Sequence, residues 1–439
     1  MIYQPGGFMT TYNTVPKSVD KLIRDIQTQC GEEHKSWGEV FENVFSNTLL
    51  TTVKRISDED TFVLTGDIPA MWLRDSTAQI RPYLVLANED ESIKKMILGL
   101  INRQIFCINH EPYANAFNET ENGAGHQTDN TYMTPFIWER KYEIDSLCYP
   151  IQLSYLYYQT TQDSSVFSDA YTQAVRSILD VWETEQNHES SPYTFTRPTD
   201  RPEDTLTNEG RGTPVAYTGM TWSGFRPSDD ACEYHYLVPS NMFAVVVLEY
   251  IEEIYSQVLS DLEIVERAQK LRNEIKKGIE SFAVVDTDFG SVYAYEVDGL
   301  GNASLIDDPN VPSLLAAPYL GYCAWDDPIY LRTRNHILSP SNRYFESGTF
   351  ASGCGSSHTP KGYIWPIALA IEGLTTPNQE AKKQILDTLV KTDGGTKMMH
   401  ESFNVEDPTQ YTREWFSWAN MMFCELVMDY FGIRVGKEV

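Results

Sequence analysis

Apolar residues recur at steps of three and four along almost the whole chain, and that period settles the fold class before anything else. "SVDKLIRDIQTQC", "WGEVFENVFSNTLLTTV" and "DESIKKMILGLINRQIF" carry it, as do "YPIQLSYLYYQTT", "FSDAYTQAVRSILDVWETE", "NMFAVVVLEYIEEIYSQVL" and "EIVERAQKLRNEIKKGIESF". It resumes in "YIWPIALAIEGL", "NQEAKKQILDTLVKT" and "EWFSWANMMFCELVMDYFG". This spacing places one apolar stripe on each helix, and about a dozen helices are predicted. The helix bounded by Val245 and Leu248 is apolar on nearly every face and is expected to be buried on both sides. Strand-like sequence is rare, and "SFAVVDTDFGSVYAYEVDG" reads as a minor β-hairpin insertion turning at Asp288, Phe289 and Gly290. The expected class is therefore all-α. A toroid of six helical hairpins fits the rhythm, and a superhelical repeat array fits it almost as well.

No Ser/Gly- or Pro-rich linker divides the chain. Residues 1–16 are expected to be a flexible N-terminal extension and 17–439 one domain. The polar start "MIYQPGGFMTTYNTVP" lacks the basic head, apolar stretch and cleavage site of a signal peptide. Against 34 Lys+Arg stand 62 Asp+Glu, a formal charge of −28, which repels phosphate backbones and anionic membranes. Neither nucleic acid nor a membrane is expected as a partner. Seven cysteines, Cys107, Cys148, Cys232, Cys323 and Cys424 among them, are scattered without a CxxC pair. An odd, irregular set suits free thiols in a reducing compartment, so a cytoplasmic location is expected.

Long aromatic-rich loops interrupt the helices, and loops of that length inside a compact domain usually carry function. In "TGDIPAMWLRDSTAQIRPYL", Trp72, Arg74 and Asp75 meet within four residues. An Arg-Asp pair can grip adjacent hydroxyls while a tryptophan face stacks on a sugar ring. The same pair could equally be an ion pair capping a helix that begins near Ser76. In "FIWERKYEIDSLCYP", Glu139, Arg140, Glu143 and Asp145 read first as a solvated helix end whose charges pair with one another. "WSGFRPSDDACEYHY" sets Asp229 and Asp230 among Trp222, Phe225, Tyr234 and Tyr236. Burial beside aromatic rings can keep a carboxylic acid protonated near neutral pH, whereas Arg226 would push the other way. Adjacent residues of an extended segment point to opposite sides, so one aspartate at most reaches a given bond. The other could cap a helix or hold the arginine, and a plain turn after Pro227 and Ser228 competes with both readings. In "GGTKMMHESFNVEDPTQYTREWFSWAN", Glu401 lies between His400 and Ser402, with Arg413 and Glu414 following. Cationic neighbours would keep such a glutamate ionised, as a base that activates water must be. A solvated loop glutamate explains the local sequence as well.

The eight histidines include no HExxH or paired ligand spacing, so neither a metal nor any other cofactor is expected. "GTFASGCGSSHT" is neither GxSxG nor a phosphate loop, although Ser356, Ser357 and His358 could donate into a pocket. "DDPNVPSLLAAPYLGY" suits a turn more than calcium.

Together the motifs "TGDIPAMWLRDSTAQ", "IWERKYEIDSLCYP", "GMTWSGFRPSDDAC", "VPSNMFAVVVL", "DDPNVPSLLAAPYLGY", "MMHESF" and "REWFSWANMMFCELV" resemble family 125 glycoside hydrolases, the bacterial exo-α-1,6-mannosidases. They occur in the family's order from about Trp37 to near the C-terminus. The resemblance implies an (α/α)6 barrel and release of single non-reducing terminal mannose units from α-1,6 linkages, with inversion at the anomeric carbon. It implies Asp229 as general acid and Glu401 as general base. Arg74 and Asp75 would hold the terminal sugar's hydroxyls, as in other exo-acting (α/α)6 glycosidases such as glucoamylases. Trp72, His126, Asn241 and His358 are expected in the same pocket, with Asp230 a structural or sugar-binding neighbour of the acid. In inverting enzymes the two carboxyls stand about 6.5–9.5 Å apart, leaving room for water. Mannose-containing oligosaccharides, such as those released in N-glycan degradation, are the implied partners. An exo-α-glucosidase on the same barrel and a sugar-binding protein without activity remain as alternatives.

Overall fold

The computed structural model describes residues 12–436. The N-terminal extension expected over residues 1–16 lies outside the described residues as far as Thr11. Tyr12 is buried, and its hydroxyl lies 3.1 Å from Ser92 Oγ. Twelve α-helices of eight residues or more are found among the described residues. They are α1 (Lys17–Cys30), α2 (Lys35–Thr51), α3 (Leu73–Ile80), α4 (Glu91–His110), α5 (Ile144–Thr161) and α6 (Asp169–Glu185). After them come α7 (Val238–Gln257), α8 (Leu262–Phe282), α9 (Pro328–Ile337), α10 (Pro366–Leu374), α11 (Gln379–Lys391) and α12 (Ser417–Tyr430). The chain divides into two compact units. The first comprises residues 12–103, 156–166 and 346–436, and the second residues 104–155 and 167–345.

In the first unit α2 packs against α1, α11 and α12, while α12 also meets α3 and α10. The stripe on α1 is amphipathic: Val19, Leu22, Ile23, Ile26 and Cys30 turn inward and the charges between them turn out. In contrast, α12 is buried from Ser417 through Met428, because its residues are apolar on every face and neighbours cover all of them.

In the second unit α7 and α8 form the main hairpin, and α6 packs on α8. Pro239 occupies the first turn of α7, where its missing N–H costs nothing. Every residue of α7 from Val238 to Leu248 is buried, as its apolar run predicts. The α8 stripe buries Ile264, Ala268, Leu271, Ile275 and Ile279, and Asp261 caps it by accepting the Ile264 N–H at 3.3 Å. Truncating Leu271 to alanine would cost about 2–5 kcal/mol. Val284–Thr287 pairs antiparallel with Gly290–Tyr293, the hairpin expected from the sequence.

The remaining strands are two or three residues long and lie in the loops, below the length at which alternation shows in a sequence. Two groups of them, one in each unit, carry or adjoin candidate site residues. In the second unit Ala116–Phe117 pairs with Ile137–Glu139. In the first, Ser402–Asn404 is sandwiched between Tyr363–Ile364 and Tyr411–Thr412.

Candidate active site

The first unit carries Trp72, Arg74, Asp75, His358 and Glu401; the second carries His126, Asp229, Asp230 and Asn241.

Glu401 immediately precedes the central strand of its small sheet, where its N–H donates to the Thr412 carbonyl at 3.3 Å. Its side chain is 6% exposed and stands 3.6 Å from Arg413 Nη1, so it is no solvated loop glutamate. Arg413 is itself fixed, gripping Asp67 through Nε and Nη2 and lying over the Phe416 ring at 4.5 Å. Burial alone would lower the Arg413 pKa, but Asp67, Glu401 and Asp75 outweigh it and hold the guanidinium above its ordinary value. Arg413 thus ties Asp75 and Glu401 into one electrostatic cluster. His400 stacks on Tyr411 at 3.7 Å, and burial holds its pKa below the usual histidine value. Helix α3 begins at Leu73, not near Ser76. Arg74 and Asp75 therefore fall in its first turn, buried, with Arg74 Nε 3.6 Å from Asp75 Oδ2. The Arg74 guanidinium also lies 5.5 Å from the Trp418 ring. Trp72 is buried just ahead of the helix, and His358 is half-buried, 6.3 Å from the Trp365 ring.

Asp229 occupies a turn in the left-handed region, with φ at +65°. Its N–H donates to the Arg226 carbonyl at 2.9 Å, and the Arg226 N–H donates to the Asp230 carbonyl at 2.8 Å. The stretch is thus a turn, as the competing reading after Pro227 and Ser228 expected. Asp229 is half-buried, and Asn115 Nδ2 lies 3.4 Å from its Oδ1. Asp230 is fully buried and faces Arg201 at 3.3 Å. The Arg226 guanidinium is paired with the buried Glu296 at 2.6 Å. Asn241 differs from its expected role as a pocket residue. Its Oδ1 accepts the Thr221 N–H, and its Nδ2 donates to the Thr221 and Leu237 carbonyls. Having both amide protons on backbone, it braces the segment leading to the aspartates.

The expected solvated helix end at 139–145 is not solvated. Glu139, Arg140, Glu143 and Asp145 are all at most 7% exposed. Arg197 bonds both Asp129 and Glu139 at 2.7 Å, and Arg140 Nη1 donates to Thr131 Oγ1 at 2.7 Å, while Glu143 accepts from Ser146 Oγ at 3.0 Å. The half-exposed His126 reaches Glu139 at 3.6 Å. Sequence reasoning passed over Asn115, Lys141, Arg197 and Asp67, because their partners are remote in the chain and no local spacing marks them.

Residues 34–428 match the family described as metal-independent alpha-mannosidase (GH125). A Streptococcus pneumoniae protein of that description, solved as a non-productive complex with α-1,6-mannobiose, is 54% identical. It aligns over 96% of this chain and 99% of its own with a TM-score of 0.94. The Meiotically up-regulated gene 157 protein of Schizosaccharomyces pombe is 39% identical over 97% of this chain and 87% of its own. A bacterial glucoamylase complexed with acarbose shares the fold at 12% identity, with a TM-score of 0.58 over 94% of this chain and 58% of that one. The fold is the (α/α)6 barrel of these glycosidases, which decides between the toroid and the superhelical array. The chain belongs to the GH125 family of metal-independent α-mannosidases.

Proposed function

We propose that this chain is an inverting exo-α-1,6-mannosidase, with residues 17–439 as its catalytic barrel, Asp229 as general acid and Glu401 as general base. Asp229 gives its proton to the glycosidic oxygen while Glu401 takes one from a water that attacks C1 from the opposite face. Positive charge develops on the sugar ring, and the carboxylates facing it stabilise that charge. Arg74 and Asp75 hold the hydroxyls of the terminal mannose and restrict cleavage to chain ends. The observation that supports the assignment is at Glu401, a buried carboxylate with a guanidinium at 3.6 Å, and a carboxylate beside a cation suits proton abstraction from water. Asp229 is half-buried, with Asn115 Nδ2 3.4 Å from its Oδ1.

N-glycan-type α-1,6-mannosides are the substrate class, supported by the mannobiose bound to the 54% identical relative. The cytoplasm is the proposed location, supported by seven free thiols of which six are buried. Among the described residues no helix is long and apolar enough to cross a membrane. Time-resolved NMR on α-1,6-mannobiose tests the reading. β-Mannose should appear first and mutarotate later; α-mannose appearing first sinks the inverting assignment.

A further inference from the structure

A non-glycine residue in the left-handed region is strained by about 1–2 kcal/mol, so Asp229 stays there only if its neighbours hold it. The holding group is a lysine that no motif singles out. Lys141 is 2% exposed, and its Nζ donates to the Asp229 carbonyl at 2.7 Å. The same ammonium pairs with Asp204 at 3.2 Å, lies 4.0 Å from Glu139 and sits 5.1 Å from the Phe225 ring. Burying an ammonium is costly unless it is paired and hydrogen-bonded, and here every close partner belongs to the Asp229 loop or to the loops beside it.

The backbone around Lys141 grips the same loop. The Tyr142 carbonyl accepts the Gly224 and Phe225 N–H groups, both at 3.1 Å. Asn115 joins the two sides: its Oδ1 accepts the Lys141 N–H at 3.1 Å, and its Nδ2 donates to Glu139 at 3.0 Å. That same Nδ2 is the group 3.4 Å from Asp229 Oδ1. The loop from Gly224 to Asp229 is therefore pinned at its start by Tyr142 and at its end by Lys141.

We propose that Lys141 is a positioning residue for the general acid. Its buried ammonium fixes the peptide that follows Asp229 and so aims the carboxyl at the leaving-group oxygen. This rests on the assignment of Asp229 as acid. Because Lys141 meets the main chain of Asp229, its removal mis-aims the proton without removing it. Misplacing a catalytic group by an ångström can cost on the order of 10²-fold in rate.

The test compares two substrates in the full-length enzyme: α-1,6-mannobiose, whose leaving group needs a proton, and α-mannosyl fluoride, whose leaving group needs little help. Lys141→Met should slow mannobiose hydrolysis roughly 10–100-fold while changing the fluoride reaction less than about threefold, with KM nearly constant. Asp229→Ala should show the same split more strongly, and Asp229→Ala/Lys141→Met should be no slower than Asp229→Ala alone. Asp204→Asn, which leaves the Lys141 bond to Asp229 in place, should keep the wild-type ratio of the two rates. If Lys141→Met fails to fold by circular dichroism, Lys141→Arg should show a smaller split in the same direction. Equal losses on both substrates for the folded Lys141 variant, or additive losses in the double variant, overturn the proposal alone. Equal losses for Asp229→Ala overturn the acid assignment and the proposal with it.

Discussion

The two candidate catalytic carboxylates are built in opposite ways. Glu401 adjoins regular structure, one residue before the central strand of a small sheet, with Arg413 beside it and Asp67 behind the arginine. Asp229 rests on a strained turn, with its backbone held by a buried lysine and its carboxyl near an amide. In the first case the cation touches the carboxylate; in the second it touches the carbonyl of the same residue. On the proposed roles, the base has its counter-charge at hand, and the acid has its main chain fixed by one. Rigidity is achieved in both, by sheet pairing for the base and by side-chain locks for the acid.

The comparison breaks most sharply at Glu401. Glu401→Ala should lower turnover of both α-1,6-mannobiose and α-mannosyl fluoride by about 10³–10⁴-fold, since each needs an activated water. Initial rates for both substrates measure this, and loss on only one of them would exchange the roles proposed for the two carboxylates. Asp229→Ala comes next, with about 10²–10³-fold lost on mannobiose and most activity kept on the fluoride. Asp230→Ala tests the split within the pair. Asp230 is fully buried against Arg201, so its loss should lower Tm more than it lowers the rate of the folded enzyme. If Asp230→Ala folds and instead loses activity on mannobiose while keeping it on the fluoride, the acid is Asp230 and not Asp229.

A smaller effect sharpens the view of the base. Asp67→Asn weakens the two-point hold on Arg413 without touching Glu401, so kcat should fall about tenfold with KM little changed. Steady-state kinetics on mannobiose checks it, and a wild-type kcat would mean that Arg413 needs no second partner.

The fold was largely legible in the sequence because helical periodicity is local: the residues that define each stripe lie within a few turns of one another. Ten of the twelve helices, the buried apolar run of α7 and the hairpin at Gly290 follow from that, whereas the short α3 and α9 carry no such stripe in the segments quoted. The surroundings of the site were not legible, for the opposite reason. Glu139 meets Arg197 across 58 residues, and Lys141 meets Asp229 across 88. Read locally, charges at 139–145 look like a solvated helix end, since spacing along a helix is the one pairing rule a sequence displays. Arg226 misled in the same way: two residues from Ser228 it looks like a partner for the aspartates, yet Glu296, 70 residues on, takes it. Resemblance to a family singled out the two candidate carboxylates; only the folded chain shows what stands behind each.

The loop carrying Asp229 is also the one that acid should loosen, with the smallest effect at neutral pH. His235 and His188 both stack on Trp222, at 4.7 and 3.6 Å, where the chain enters that loop. His235 Nδ1 donates to the Ser223 carbonyl at 2.8 Å, and its Nε2 accepts the Thr213 N–H at 3.0 Å. A proton on Nε2 would face that N–H, so the folded state requires the neutral ring. Burial holds its pKa down to about 4, below the ordinary 6.5. An unfolded chain therefore takes up a proton below about pH 6.5 that the folded one refuses, and stability falls at up to about 1.4 kcal/mol per pH unit until pH approaches 4. The stabilisation is complete above pH 6.5 and lost on acidification. Tm measured from pH 7 to pH 5 should decline, and His235→Gln, less stable at neutral pH, should decline less steeply over the same range. Parallel slopes for the two proteins would show that the acid sensitivity of this loop comes from groups other than His235.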